Sequence, residues 1–134
     1  MDSTTRDLIN ANLEKADQKL AVSRKLLASS DHDDAVSRAY YAAFHAVRAL
    51  LVTVGQSPAT HHGALTLFNL LFIKSGKLDM ELGRFFMNLR DDREAADYEL
   101  FANVDRKLAE RAVAEADRLV AEARTYLRRE GVMD

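Results

Sequence analysis

Two groups of polar residues carry the side chains with which this chain could do chemistry. The first is Arg38, Tyr41, His45 and Arg48, set in the otherwise alanine-rich, apolar run Ser37-Arg38-Ala39-Tyr40-Tyr41-Ala42-Ala43-Phe44-His45-Ala46-Val47-Arg48. At about 100° per residue, Arg38 and His45 return to within about 20° of the same helix face, and Tyr41 and Arg48 flank it. The second group is Arg90, Arg93, Glu94 and Asp97, followed by Tyr98. Arg90 and Asp97 repeat the seven-residue separation, so each pair spans two turns, about 10.5 Å along the axis. If the two helices are neighbours, the stripes meet in one cleft. An arginine there can hold a phosphate, and a histidine near its ordinary pKa of about 6.5 can move a proton at neutral pH. His61, at a helix start, could add an anion contact, with a capping or surface role as the competing account. The spacing also admits a plainer account. Arg90 with Glu94 and Arg93 with Asp97 are i,i+4 pairs, each stabilising an exposed helix by about 0.2–0.5 kcal/mol. Arg38 can pair with Asp34, and His45 can be a hydrogen-bonded core histidine. Spacing alone leaves both accounts open.

The elements that must position these residues are helical. A first helix is expected from Thr4 or Asp7 to Leu27, with Ser3 or Thr4 as N-cap and Leu8, Ala11, Ala16, Leu20, Val22, Leu26 and Leu27 as its apolar stripe. The polar run Ser29–Asp34 breaks it and supplies negative charge for the next start. The second helix, Asp33 to Val54, is apolar over most of its circumference and must pack on more than one side. Gly55 ends it, and the only proline, Pro58, follows in a loop. A shorter helix from His61 or Gly63 to Ile73 has Thr60 as cap, and Lys74-Ser75-Gly76-Lys77 closes it. A fourth runs from Asp79 to Tyr98 with Leu82, Phe85, Phe86, Leu89 and Tyr98 facing inward. Asn103-Val104-Asp105 is a turn and cap. The last, Asp105 to Arg129, buries Leu108, Ala112, Ala116, Leu119, Val120, Ala123 and Leu127, and its outer face carries Arg106, Glu110, Glu115, Arg118 and Glu122. Phe68, Phe72, Phe85 and Phe86 are read as core. No strand-like alternation of useful length occurs, so the fold expected is an all-α, up-and-down bundle of four long helices plus one short helix.

Composition bounds the rest. The 134 residues suit one domain, with its core over about residues 7–127. Hydrophobic residues make up 48% and charged residues 30%, which excludes a disordered chain. A net charge of −2 gives no global basic field for coating nucleic acid, so any anion contact must be local. Cysteine is absent, which removes disulfides and thiolate metal sites. No window reaches the roughly 18 apolar residues of a membrane span, and no secretory signal pattern opens the chain. A cytoplasmic protein with no membrane contact is the expectation. His61 and His62 are adjacent and diverge on a helix, so neither a metal site nor a cofactor is expected.

Several separated segments resemble one family. Ser37 to Leu51 is similar to the signature of HEPN-domain proteins, small helical bundles. Thr60-His61-His62-Gly63 and Phe72-Ile73-Lys74-Ser75-Gly76-Lys77-Leu78 resemble features between its motifs, and Leu89-Arg90-Asp91-Asp92-Arg93-Glu94-Ala95-Ala96-Asp97-Tyr98 looks like its Leu-Arg…Arg-x-x-Ala-Asp-Tyr element. The resemblance runs from about Asp7 to Leu127. It implies a homodimer around a shared polar cleft. It further implies a toxin that acts as a metal-independent ribonuclease, paired with a small nucleotidyltransferase-like antitoxin. Arg38-x6-His45 fits the family's Arg-x(4 to 6)-His formula. In many active members that motif lies on a later helix, where this chain has Arg90 or Arg93 leading to Asp97 and Tyr98, with no histidine. On this reading His45 is general base or acid for attack by a ribose 2′-hydroxyl. Arg38, Arg90, Arg93 and Asp97 complete the catalytic set, and Tyr41, Arg48, Tyr98 and His61 bind RNA or a nucleotide. The alternative is a non-catalytic HEPN module that binds a nucleotide or scaffolds the nucleotidyltransferase.

Overall fold

A computed structural model describes residues 1–133. They form α1 (Ser3–Ala28), α2 (His32–Val52), α3 (His61–Phe68), α4 (Met80–Tyr98) and α5 (Arg106–Arg129), with a π-helical turn, Asn69–Ile73, continuing α3. This is the expected all-α set of four long helices and a short one, with no strand among the described residues. None of the helices is long and apolar enough to cross a membrane.

The apolar circumference of α2 makes it the central helix. It packs against α1, α3, α4 and α5, and twelve of its residues, from Ala35 to Leu51, are buried. Ala39, Ala42, Ala43, Ala46 and Ala49 are all fully buried, and their small side chains let neighbouring helices approach closely. The apolar circumference of α2 is therefore covered within one chain.

Helix α1 buries Ile9, Leu13, Ala16, Leu20 and Ser23; of the expected stripe Ala16 and Leu20 are buried and Leu27 packs against the core, while Leu8, Ala11 and Val22 are exposed. The buried set steps by four and three along one face. Ser23 hides the pattern because it is polar; its hydroxyl donates to the Ala35 carbonyl at 2.8 Å and ties α1 to the first turn of α2. The α1 cap is Asp2, which accepts from the Thr5 amide at 2.7 Å, one residue before the expected Ser3. Thr60, Asp79 and Asp105 cap α3, α4 and α5 in the same way. Helix α2 ends at Val52, two residues early, and Gly55 takes the left-handed turn at φ 73°.

Phe68, Phe72 and Phe86 are core residues as expected. Glu115 departs from the solvated face assigned to it. It is buried between α4 and α5, accepts from Asn88 at 3.3 Å, and burial raises its pKa. Gly83 marks a close approach of α4 to the π-helical turn: a Cβ there would lie 2.9 Å from Asn69 Oδ1 and 3.1 Å from Ile73 Cγ1.

Candidate functional site

Arg93 is the buried charge of α4, only 6% exposed. Its guanidinium lies over the rings of Tyr40 (4.9 Å), Tyr98 (5.7 Å) and Tyr41 (5.8 Å). Arginine suits that place because its planar, weakly hydrated cation stacks on aromatic faces. Nη2 donates to Glu94 at 3.1 Å, Nη1 is 3.9 Å from Asp97, and Nε is enclosed without a hydrogen-bond partner. Asp97 also accepts from the Ser37 hydroxyl of α2 at 3.3 Å. Arg90 pairs with Asp91 at 3.2 Å rather than with Glu94. Tyr98, expected to face inward, is 70% exposed, with its ring at the rim over Arg93.

Across from Arg93, fully buried Tyr40 shares a 2.7 Å hydrogen bond with His61 Nδ1. Burial pushes the Tyr40 pKa up to about 12, so its phenol keeps its proton. His61 opens α3 directly after the Thr60 cap, and its ring stacks on Phe44 at 4.3 Å and lies edge-on to Tyr41. Burial, then the charges of Arg93 and Arg48, lower its pKa, so the imidazole is held neutral.

His45 lies on another side of α2. Its Nδ1–H donates to Asn12 Oδ1 on α1 at 3.2 Å. Burial first, then Arg48, Lys15 and Lys19, lower its pKa to about 4. Arg38 is exposed and forms no ion pair with Asp34 or any other described residue. Arg48 lies over the Phe44 ring at 5.7 Å and borders a cavity of about 250 Å³ with Thr5, Leu8, Asn12, Val52 and Pro58.

The stripes of α2 and α4 therefore do meet, but through Ser37, Tyr40 and Tyr41 on α2 facing Arg93 and Asp97 on α4. Arg38 and His45 are not joined to that cluster. Ser37 and Tyr40 were missed. The signal that could have found them is the three-and-four step Ser37, Tyr40 or Tyr41, Phe44, Arg48, one residue out of phase with Arg38 and His45. What the cluster can do chemically is hold an anion at a desolvated guanidinium beside a neutral imidazole, with Asp97 as a neighbouring acceptor. Among the described residues no group of three or more His, Asp or Glu is gathered as a metal site.

Comparison with known proteins agrees with this architecture. The model of the HEPN domain matches residues 9–126. The chain is 35% identical over 115 residues to "Putative toxin MJ0142" of Methanocaldococcus jannaschii, covering 86% of this chain and 78% of that one. It is 32% identical over 129 residues to "Putative toxin MJ0605" of the same organism, covering 96% and 90%. A UPF0332 protein of Thermotoga maritima is 39% identical over 84 residues, 63% of this chain and 64% of its own. With the domain matched across nearly the whole helical core, α1 to α5, this chain belongs to the HEPN-domain family.

Proposed function

We propose that this protein is the toxin-like member of a two-part module, a metal-independent endoribonuclease restrained by a nucleotidyltransferase-type antitoxin. The observation that carries the reading is Arg93: a buried cation with an unpartnered Nε, framed by three tyrosines and set near a neutral histidine. Two relatives named as toxins support the toxin role. In the reaction proposed, the ribose 2′-oxygen bonds to phosphorus and the bond to the 5′-oxygen breaks, leaving a 2′,3′-cyclic phosphate and a 5′-hydroxyl. Asp97 takes the 2′-hydroxyl proton, Arg93 and Arg90 offset the negative charge that develops on the non-bridging phosphoryl oxygens, and solvent protonates the leaving oxygen. Tyr41 and the exposed Tyr98 offer rings for a base. His45 has no proton-transfer step here, because it lies on another side of α2, its Nδ1–H is bonded to Asn12, and a pKa of about 4 leaves it neutral and weakly basic at neutral pH.

Homodimerisation and antitoxin binding belong to the same proposal. They are supported by the exposed Tyr98, Leu100 and Phe101 at the end of α4, 70%, 88% and 94% exposed, beside the cleft. A second reading, a non-catalytic nucleotide-binding or scaffolding module, is favoured by one observation: both carboxylates nearest Arg93 already balance its charge. Incubating purified protein with RNA in chelator tests the pair. Cleavage that Arg93→Ala abolishes supports the nuclease; intact RNA with retained nucleotide binding selects the second reading.

A further inference from the structure

We propose that Tyr40 is a positioning residue that locks His61 in one tautomer, so that His61 meets a phosphodiester as a neutral hydrogen-bond donor through Nε2, neither as base nor as imidazolium. The inference rests on reading the Arg93 cleft as a phosphodiester site and specifies what the histidine does there.

The argument is an accounting of protons in a closed space. The Tyr40 side chain is fully buried, and its hydroxyl has a single hydrogen-bond partner among the described residues, His61 Nδ1 at 2.7 Å. Two neutral arrangements are possible. In the first, the phenol donates to Nδ1 and the histidine proton sits on Nε2. In the second, Nδ1–H donates to the phenol oxygen, and the phenol's own proton is left with no acceptor where water does not reach. A buried donor without an acceptor lowers the population of that arrangement by about tenfold or more. Releasing the phenol proton is no escape, because burial opposes a phenolate. The imidazolium incurs the same orphaned proton and adds a charge. The groups facing His61 are Tyr40, Tyr41, Phe44 and Arg48 from α2 and Arg93 and Glu94 from α4. Of these only Glu94 favours a cation, and it is already bonded to Arg93 at 3.1 Å.

Nε2 is the free end of this arrangement. Among the described residues it has no hydrogen-bond partner, and it is not an enclosed atom, so it opens to the solvent side. A donor there that adds no charge suits the ligand. Arg93 is matched by Glu94 and Asp97, and Arg90 by Asp91, so these groups leave the cleft no surplus positive charge. Such a cleft takes the singly charged internal diester in preference to a doubly charged terminal phosphate.

The test pairs the side-chain nitrogen NMR spectrum of His61 with binding of a 2′-O-methyl RNA octamer, which presents diesters but cannot be cleaved by its own 2′-oxygen. The expected result is an Nε2–H tautomer in the ligand-free protein and binding that stays within twofold from about pH 6 to 8. Tyr40→Phe, which keeps the ring, is expected to mix the tautomers and weaken binding by about fivefold. His61→Gln, whose amide nitrogen reaches the Nε2 position, is expected to bind at least threefold more tightly than His61→Asn, which reaches only Nδ1. An Nδ1–H or imidazolium spectrum at pH 7 overturns the inference. So does binding by His61→Asn equal to that of wild type, or binding that falls tenfold per pH unit in this range. Octamer binding with no cleavage of ordinary RNA removes the nuclease reading and leaves this inference standing. An Nε2–H spectrum with no octamer binding by wild type overturns the phosphodiester role.

Discussion

His45 and His61 both touch the Phe44 ring, at 5.6 and 4.3 Å between centroids, and both are held neutral, yet the two are wired in opposite senses. On the α1 side, an amide oxygen of Asn12 takes the Nδ1 proton of His45, so the free nitrogen is a lone pair. Burial first, then the charges of Arg48, Lys15 and Lys19, make that lone pair a weak base. On the α4 side, a buried phenol supplies a proton to His61 Nδ1, so the free nitrogen carries N–H. One helix thus presents two histidine environments, one dominated by cations and one by aromatic rings with a single guanidinium. The partner of Nδ1, more than the histidine itself, decides what each can offer a ligand.

Four measurements break or sharpen this contrast. The largest effect is expected at the α4 side: Arg93→Ala should lower RNA cleavage by about 100- to 1000-fold, while His45→Gln changes it less than threefold. Equal losses in the two variants would show that the α1 side takes part in the chemistry as well. Next comes acid stability. The folded pKa of His45, about 4, lies below the ordinary value of 6.5, so its contribution is fully present above pH 6.5 and is lost as pH falls toward 4, where the unfolded chain takes the proton first. Wild type should lose on the order of 2 kcal/mol more than His45→Gln over that window in urea titrations. Phe44→Leu removes the ring shared by both histidines. It should cost about 1–1.5 kcal/mol and raise the pKa of His61 as water enters, which proton NMR would follow. Smallest is Asn12→Ala, about 0.5–1 kcal/mol by thermal denaturation, with His61 unmoved.

The fold was legible in proportion to how strongly periodicity reflects burial. The all-round apolarity of α2 announced a central helix, and the cap residues Thr60 and Asp105 announced the starts of α3 and α5. Helix α1 was read in part: Ala16 and Leu20 are buried as expected, Leu8 and Val22 stand one residue out of phase with buried Ile9 and Ser23, and Ser23 fills a core position with its hydroxyl satisfied across the helix pair, which no apolar count detects. The candidate site was half legible. Arg93 with Asp97 has the spacing of an ordinary surface pair, and only the neighbouring Tyr40, Tyr41 and Tyr98 rings turn it into a buried cation. The Tyr40–His61 bond joins residues 21 positions apart on different helices, and no helical spacing rule connects them.

The missing side chain at Gly83 has a mechanical consequence. With so little room between α4 and the π-helical turn, an added methyl group acts as a wedge against Asn69 and Ile73. The turn continues directly into the eight-residue α3, a lever whose far end is His61. Gly83→Ala is in that sense a change of aim delivered from the opposite end of a short rod.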